Sequence, residues 1–453
     1  MIKKIKWKNH TSLGNLELDF TKPDGSIYNT IVLAGENGTG KTTILETLCT
    51  FLDLGSFEPF DYIEYEANQG TYRIEPAGQN VAFGFHGRTN LSDGSNEIIS
   101  RNRNNSVDAL KNDTEDIRSY GISYSKARSG FKTNPIKSST TQQTDSNKYE
   151  TDKSDDYTQA KQLLIDIKVQ DNELLNERVV SNNGMTPEQL DTFKKDSKIY
   201  RFEKAFNGFF DSIQFKDVKS RESDEIKIVF EKHGHEINID QLSTGEKQIV
   251  FRGTQLLKNS KIISGGTVLI DEPELSMHPR WQKKILKYYR DLFTNNGSQT
   301  VQMLIATHSS YVIQAALNNQ DSVLVVVLRD DGGVIKADRI IAPGVLPQIT
   351  PAETNYMAFC VPTIDYHIEL YGWLQRKNGD LSVKGCDDFI KNHQLYNAAN
   401  HHKPSSFTNS NGHTTNYETL PTYVRNAIDH PDPSRTFTED ELQTSIELLR
   451  KLC

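Results

Sequence analysis

The sequence predicts an α/β fold, and three stretches carry the prediction. TIVLAG is a short apolar run that ends in glycine, and a helix is expected to begin near Lys41. TVLIDEPE and MLIATHSS are apolar runs of strand length that pass directly into polar residues. Apolar runs of this length, bounded by turn residues and followed by helical segments, are typical of buried strands.

Further strands, two of which should form a hairpin, are predicted outside these three stretches. Ile2 to Trp7 and Leu16 to Phe20 carry apolar residues at strand period, and TKPDGS is a cluster of turn residues before TIVLAG. The first 50 residues therefore predict strand, turn, strand, strand, loop and helix. Further along, VLVVVLRDDGGVIKADRI predicts two strands joined by a glycine turn.

Composition limits the classes of protein. The chain has 453 residues, 36% of them hydrophobic, and a net charge of −8, which fits a globular protein without a uniformly basic surface for nucleic acid. No run approaches eighteen apolar residues, and MIKKIKWKNH lacks the apolar block of a signal peptide. We therefore expect a cytoplasmic protein without membrane contact. The four cysteines show no CxxC spacing, which disfavours a disulfide framework or a cysteine zinc site.

Changes in composition divide the chain. We expect an ordered head over residues 1–345, with a mobile surface insertion at about 100–156, where SSTTQQTDSNKYETDKSDD cannot bury enough apolar area to offset its chain entropy. Two helical stretches should follow at about 157–210, without the sustained heptads of a long coiled coil. Residues 346–453 are expected to form a small, mainly helical region that the polar loop HHKPSSFTNSNGHTTN interrupts.

A glycine-rich stretch predicts a phosphate site. GENGTGKT fits G-x-x-x-x-G-K-[ST] and lies between an apolar strand and a helix. Its glycines let successive backbone N–H groups face one point, and the helix N-terminus adds partial positive charge. Lys41 is expected to reach the β- and γ-phosphates of ATP, and the Thr42 hydroxyl to ligate Mg²⁺. The predicted nucleotide-binding residues here are Gly35, Glu36, Asn37, Gly38, Thr39, Gly40, Lys41, Thr42 and Thr43.

Hydrolysis also requires groups that hold the metal and activate water. In TVLIDEPE, Asp271 is suited to the Mg²⁺ shell, Glu272 can act as general base, and Pro273 ends the strand. His308, at the end of the strand in MLIATHSS, is expected to contact the γ-phosphate. The predicted catalytic residues are therefore Lys41, Glu272 and His308.

Four motifs occur in a characteristic order. GENGTGKTT, LSTGEKQ, LIDEPELSMHP and ATHSS resemble the P-loop, signature, Walker B with D-loop, and switch histidine of ABC-type ATPases. IKKIKWKNHTSLGNLELDF and EPELSMHPRWQ are similar, more narrowly, to SMC-like, RecF-like and overcoming-lysogenization-defect ATPases. The match covers roughly residues 1–90 and 200–345. It implies an ABC-type P-loop head with a mixed sheet, an antiparallel subdomain and a helical insertion, and it leaves the Q-loop glutamine open between Gln69 and Gln79.

The resemblance also assigns the signature to a second molecule. As in that family, Ser243 and Gly245 would contact the γ-phosphate bound at Lys41 of another head, and Glu246 belongs to the same predicted site. The start of a helix favours an anion at this position. Two heads arranged head to tail would bury two ATP molecules, so at least a homodimer is expected.

The rest of the sequence bears on which partner protein the ATPase controls. The short polar insertion, the short C-terminal region and TPAETNYMAFCVPTIDYHIELYGWLQRK resemble compact ATPases of bacterial anti-phage systems, including the ATPase subunit of Septu and of retron-linked modules. That resemblance implies a separate nuclease subunit, of the HNH type, under the control of the ATPase. Nucleic acid stays open as a further ligand.

Two other functions stay open. LPTYVRNAIDHPDP has an R-N-x-x-x-H spacing, Arg425 to His430, that resembles HEPN ribonucleases, where histidine acts as general acid or base and arginine stabilises phosphorane charge. A capped helix end before two prolines explains the same residues. A RecF-like role in DNA repair is the third function. No metal site is expected at four further histidines in a polar stretch without metal-ligand spacing, namely His393, His401, His402 and His413.

Overall fold

The computed structural model forms two compact units, Met1–Ile340 and Ile341–Cys453. This division lies close to the predicted boundary between residues 345 and 346. The residues that the structure describes are 1–77, 85–99, 110–127, 136–140, 149–151, 158–219, 225–259, 263–295, 297–340, 344–379, 381–408, 412 and 414–453.

The first unit alternates strands and helices. Its strands are β1 Ile2–Trp7, β2 Glu17–Asp19, β3 Thr30–Gly35, β4 Phe60–Ala67, β5 Gly70–Pro76, β6 His86–Asn90, β7 Asn96–Ile99, β8 Ile122–Ser125, β9 Tyr149–Thr151, β10 Ile213–Lys219, β11 Lys227–Lys232, β12 His235–Asn238, β13 Thr267–Asp271, β14 Thr294–Asn295, β15 Ser298–Gln299, β16 Gln302–Ala306, β17 Val323–Asp331 and β18 Val334–Ile340. Its helices are α1 Lys41–Leu52, α2 Thr158–Ser181, α3 Pro187–Asp196, α4 Lys198–Phe209, α5 Thr244–Leu257, α6 Pro279–Leu292 and α7 Ser310–Leu317.

Seven strands form the central sheet, in the order β18-β17-β3-β16-β13-β8-β9. β18 pairs antiparallel with β17, and the other neighbouring strands are parallel. Every residue of β3, β13 and β16 is buried, which explains why their sequences are continuous apolar runs. Because these strands are parallel, the carboxyl ends of β3, β16, β13 and β8 meet at one edge of the sheet.

Antiparallel sheets complete the unit. The larger has the order β2-β1-β4-β5-β6-β7, and a smaller one has the order β10-β11-β12. Trp7 of β1 and Phe51 of α1 both pack on Phe60 of β4, with ring centroids 5.5 Å and 5.9 Å apart. These aromatic contacts join the larger antiparallel sheet to the helix that follows the glycine-rich loop. The predicted fold class, α/β with a mixed sheet and an antiparallel part, is confirmed.

The structure differs from the predicted surface insertion at about 100–156. Residues 110–127 include β8, which pairs with β13 in the central sheet, and its Ile122 and Tyr124 are buried. This four-residue strand is too short for a periodicity signal and has polar flanks, so composition alone assigned it to the insertion. Residues 149–151 of the predicted insertion form β9, which pairs with β8, and residues 136–140 are described as well. The remaining parts lie outside the described residues, namely 100–109, 128–135, 141–148 and 152–156.

The helical segment at about 157–210 forms three helices instead of two. The second predicted helix is broken at Ser197, between α3 and α4, where the backbone is extended (φ −67°, ψ 129°). The Ser197 hydroxyl donates to Asp171 Oδ2 (2.7 Å) and accepts from the backbone N–H of Tyr200. A serine inside a helical pattern can either continue the helix or cap a new one, and here a carboxylate from α2 stabilises the cap.

The second unit is mainly helical, as predicted. Tyr366, Leu370, Cys386 and Ile446 are fully buried in its core. No described helix in either unit is both long and apolar enough to cross a bilayer. The elements of the second unit are α8 Pro351–Phe359, α9 Ile364–Lys377, α10 Val383–Asn392, α11 Ala398–His401, β19 His402–Thr408, β20 Thr414–Thr419, α12 Leu420–Asp429 and α13 Glu439–Leu452.

The prediction of a polar loop at HHKPSSFTNSNGHTTN was wrong for most of that stretch. β19 and β20 form an antiparallel hairpin in which Ser405 faces Tyr417 and Phe407 faces Thr415. Exposed and half-buried residues alternate along β19. The strand signal was missed because the half-buried face carries Lys403, Ser405 and Phe407, of which only Phe407 is apolar, so hydropathy does not alternate with exposure.

His367 is a buried histidine in the core of the second unit. Its Nε2 lies 2.8 Å from Ser445 Oγ, and its ring stacks on Tyr371 with centroids 6.3 Å apart. Burial lowers the pKa of His367 to about 3. The unfolded chain keeps the usual value of about 6.5, so between these values only the unfolded state binds the proton. Stability is therefore lost as the pH falls below about 6.5.

We expect the second unit to be less stable at pH 5 than at pH 7.5 by on the order of 2 kcal/mol, owing to His367. His367→Gln, whose amide reaches the Nε2 position, should remove that part of the pH dependence. Urea unfolding monitored by Trp373 fluorescence, with Trp7 and Trp281 replaced by phenylalanine, measures this. His402→Gln, at an exposed histidine, is the control, and equal pH dependence in parent and His367→Gln chains would contradict the prediction.

Candidate ATP-binding site

The glycine-rich loop connects β3 to α1 at the carboxyl edge of the central sheet. Gly35 (φ 142°), Gly38 (φ 86°) and Gly40 (φ 87°) have left-handed backbone angles. A Cβ on Gly35 would collide with the Leu328 carbonyl oxygen, and one on Gly40 would collide with the Leu13 side chain. Glycine is therefore required at both ends of the loop. Residues 36–38 are exposed, so their backbone is accessible to a ligand.

Lys41 lies over this loop. Its Nζ donates to the carbonyl oxygens of Gly35 (2.8 Å) and Glu36 (2.7 Å), and the residue is buried. Burial lowers the pKa of Lys41, while the carboxylates of Glu272 and Asp271 oppose that change. A partly desolvated ammonium beside the exposed amides of the loop is well suited to bind phosphate oxygens.

Thr42 and Asp271 form the candidate metal site. The Thr42 hydroxyl donates to Asp271 Oδ2 (3.0 Å), which brings the first turn of α1 to the end of β13. Asp271 Oδ1 is buried, and no described residue donates a hydrogen bond to it. Burial raises the pKa of Asp271, and the Thr42 hydrogen bond partly opposes the rise. A hydroxyl next to an unsatisfied carboxylate oxygen fits the oxygen ligands that Mg²⁺ prefers.

Glu272, the predicted general base, has a strained backbone (φ 43°). Its N–H donates to the Ala306 carbonyl at the end of β16 (2.9 Å), which fixes the residue between two strand ends. Its Oε1 lies 3.4 Å from His308 Nδ1. Both side chains are partly exposed, so water can reach them. The structure therefore brings together Glu272, His308, Asp271 and Thr42 at one edge.

Glu274 is a residue of this site that sequence reasoning missed. It is buried, and its Oε1 accepts from the Thr307 hydroxyl (2.6 Å) and from the backbone N–H groups of His308 (3.1 Å) and Ser309 (3.2 Å). The carboxylate thus fixes the loop that carries His308. The available signal was a third carboxylate, Glu274, two residues after Glu272 in DEPE.

Ser243 is the N-cap of α5, which begins at Thr244 with a capping box between Ser243 and Glu246. Ser243 and Thr244 are exposed, whereas a Cβ on the buried Gly245 would lie 3.0 Å from the Ser276 carbonyl oxygen. The signature thus packs on the turn after β13.

Glu246 is engaged by other protein groups. Its Oε2 accepts from the Ser243 N–H (2.8 Å) and its Oε1 lies 2.9 Å from Lys232 Nζ. The carboxylate is 4% exposed, so these contacts leave little of it for a ligand. Its nucleotide contact stays a prediction, and the capping role is what the geometry accounts for.

Neither Q-loop candidate is supported by its position. Gln69 lies in the exposed two-residue turn between β4 and β5, with a φ of 65°, and Gln79 lies outside the described residues. β13 lies between β16 and β8, and β8 ends at Ser125 on the carboxyl edge.

The C-terminal candidates have partners within their own unit. Arg425 donates to Asn426 Oδ1 (2.9 Å) and forms an ion pair with Asp429 (2.6 Å), as helix neighbours commonly do. The His430 ring stacks on Phe407, with centroids 4.9 Å apart. These contacts suit a helix end packed on the hairpin. The ribonuclease site stays a prediction.

The other histidines give no sign of a metal centre. Within the described residues, no group of three or more His, Cys, Asp or Glu side chains could hold a metal ion. His393 and His401 each accept a hydrogen bond from a nearby backbone N–H. His413 lies outside the described residues.

The fold and this edge define a P-loop ATPase. A family model described as AAA domain, putative AbiEii toxin, type IV TA system, matches residues 31–314. The match covers more than half of the chain, and the protein belongs to this family.

Two relatives are a retron ATPase and a Septu protein. The chain is 28% identical over 116 residues to the retron Vc95 probable ATPase of Vibrio cholerae, covering 24% of this chain and 22% of that protein. It is 24% identical over 351 residues to the Septu protein PtuA of Bacillus thuringiensis, covering 71% of this chain and 74% of that protein. The resemblance to ABC-type ATPases of Septu and retron systems is confirmed.

One solved structure among the matches is an SMC head domain from Thermotoga maritima. The superposition with this structure covers 75% of this chain and 98% of that chain, at 14% identity and a TM-score of 0.38. This likeness is too distant for any argument.

Asp271→Asn is expected to weaken Mg²⁺-dependent ATP binding by about 10- to 100-fold, because a contact to a charged group contributes about 1.5–3 kcal/mol. Nucleotide binding measured in EDTA should change little. Fluorescence titration with a labelled ATP analogue, with and without Mg²⁺, gives both affinities. Asp338→Asn, at an exposed carboxylate of β18, is the matched control, and an equal loss of affinity in EDTA would contradict the metal role of Asp271.

Proposed function

We propose that this protein is an ATPase whose heads pair around ATP and that it controls a nuclease in bacterial anti-phage defence. One observation carries the proposal. The loop with Lys41, the Thr42–Asp271 pair and the Glu272–His308 pair converge at one edge, and the exposed start of α5 provides a second phosphate-binding element. A complete catalytic half-site and a separate signature on one chain favour assembly through the nucleotide.

Each group has a distinct chemical task in this proposal. Backbone N–H groups of the loop and Lys41 bind and orient the phosphates. Thr42 and Asp271 would hold Mg²⁺, which neutralises charge on the phosphate oxygens. Glu272 accepts the proton of the attacking water, and its strained backbone fixes the direction of its side chain. His308, 3.4 Å from Glu272, is placed to hydrogen-bond that carboxylate or the terminal phosphate.

The pairing step depends on α5. Its N-terminus combines the backbone N–H groups of the first turn, the positive end of the helix dipole and the exposed Ser243 hydroxyl. An anion at this position is stabilised, and the γ-phosphate held at Lys41 of a second protomer supplies one. A twofold arrangement satisfies both sites with one contact, so the assembly is at least a homodimer.

We infer from the relatives which partner protein the ATPase controls. Relatives named as a retron ATPase and as a Septu protein support a role in defence against phage, and an HNH-type nuclease subunit is the partner we propose. The second unit, which is mainly helical and lies outside the family match, is the candidate docking region. We place the complex in the cytoplasm.

Nucleic acid is a further proposed ligand. A cavity of about 380 Å³ in the first unit is lined by four cationic side chains from α3, α4 and α6, namely Lys195, Arg201, Lys204 and Lys287. Asp291 is the acidic residue of its lining. A cluster of this kind attracts phosphate groups even on a chain of net negative charge.

Glu272→Gln is expected to bind ATP and to pair, while the rate of hydrolysis falls by about 10²-fold or more. Adding Ser243→Asp should then abolish pairing, because aspartate preserves the helix cap but repels the γ-phosphate. Light scattering with and without Mg·ATP measures the mass, and the labelled nucleotide measures binding by the monomer.

Ser382→Asp, at another N-cap serine, is the control and should leave pairing unchanged. A Glu272→Gln protein that hydrolyses ATP at the parent rate would remove Glu272 from the role of base. A Ser243→Asp variant that still doubles in mass with ATP would contradict the shared site.

A further inference from the structure

Arg252 is a buried cation directly behind the candidate catalytic carboxylates. It belongs to α5 and is 1% exposed. Its Nη1 donates to the Glu272 carbonyl oxygen (2.9 Å), and its Nη2 donates to the carbonyl oxygens of Asp271 and Lys126. Its Nε donates to Ser125 Oγ (2.8 Å). One guanidinium thus joins the carboxyl ends of β13 and β8.

The nature of these partners is unusual for a buried charge. All its hydrogen-bond acceptors are neutral, backbone carbonyls and a hydroxyl, and its countercharge is the Asp271 carboxylate, to which it makes no hydrogen bond. A well-packed apolar side chain would stabilise the fold at lower cost. An arginine offers something that an apolar side chain does not. Its planar, multidentate guanidinium holds two strand ends in a fixed geometry.

Glu272 is the residue that most needs such support. Its left-handed backbone is unfavourable for a residue with a Cβ and persists only when neighbours determine it. Its N–H is held by the Ala306 carbonyl, and its C=O is held by Arg252. The two hydrogen bonds fix the peptide groups on both sides of the Glu272 Cα. The direction of the side chain follows from them.

The same arginine connects this support to the signature. Ser243 caps α5, and Arg252 lies nine residues further along the same helix, about 13 Å at 1.5 Å per residue. An α-helix of this length is rigid. A displacement of its N-terminus by a phosphate of a second protomer therefore reaches the Glu272 carbonyl through Arg252.

We propose that Arg252 is a positioning residue that sets the backbone of Glu272 for hydrolysis and ties it to the signature end of α5. This inference rests on the proposed function, because it assumes that Glu272 is the base and that Ser243 contacts the partner's nucleotide. It adds a route by which pairing of the heads reaches the catalytic carboxylate of the same chain.

Arg252→Lys is the primary test in the full chain, because lysine keeps the charge but cannot bond both strand ends. We expect kcat for ATP hydrolysis to fall by about 10²-fold, as a misplacement of about 1 Å does, with KM changed less than about threefold. ATP-dependent pairing, measured by light scattering, should persist. Ser125→Ala is the matched control, since it removes the Nε partner and leaves the Glu272 bond, and its kcat should stay within about threefold of the parent.

Each other outcome counts against the inference. A kcat within about threefold in Arg252→Lys, or an equal loss in Ser125→Ala, would reduce Arg252 to a packing residue. Loss of pairing together with turnover in a folded variant would do the same. If the lysine variant does not fold, Arg252→Gln is judged by the same criteria. Full hydrolysis by Glu272→Gln would instead sink the proposed function, so the two failures are distinguishable.

Discussion

The parallel pairing of β3, β16, β13 and β8 is the constraint on which the site depends. Because these strands share a direction, the chain leaves each of them at the same edge, and the exits of β3, β16 and β13 each carry a different chemical group. The glycine-rich loop follows β3, the histidine follows β16, and the acidic pair ends β13. The opposite direction in any one strand would move its group to the far edge.

Desolvation is the second physical factor. Lys41 and Asp271 are both buried, which lowers the pKa of the first and raises the pKa of the second. Each charge is thus held in surroundings that favour it less than water does. Phosphates and Mg²⁺ would supply the missing countercharges, so the binding of ligand and the relief of this electrostatic cost are the same event. The free energy of folding of the rest of the head has to offset this desolvation cost.

The sequence predicted which segments form the candidate ATP site because each part of it is local. The glycine loop, the DEPE strand end and the ATHSS strand end are each continuous, and their order along the chain resembles a known family. Contacts between distant segments were not accessible in this way. Arg252 reads as one charge in a helix, and only the tertiary structure places it against residues 125 and 272. β8 and the β19–β20 hairpin were missed because their burial is not matched by hydropathy.

The central claim is that one protomer's signature completes the other's ATP site. A crystal or cryo-EM structure of the protein with ATP trapped in the Glu272→Gln form tests it most directly. The account predicts Ser243 Oγ within about 3 Å of a γ-phosphate oxygen whose nucleotide is bound at Lys41 of the second protomer. A structure in which the nucleotide is bound at Lys41 and Ser243 contacts only its own chain would contradict it.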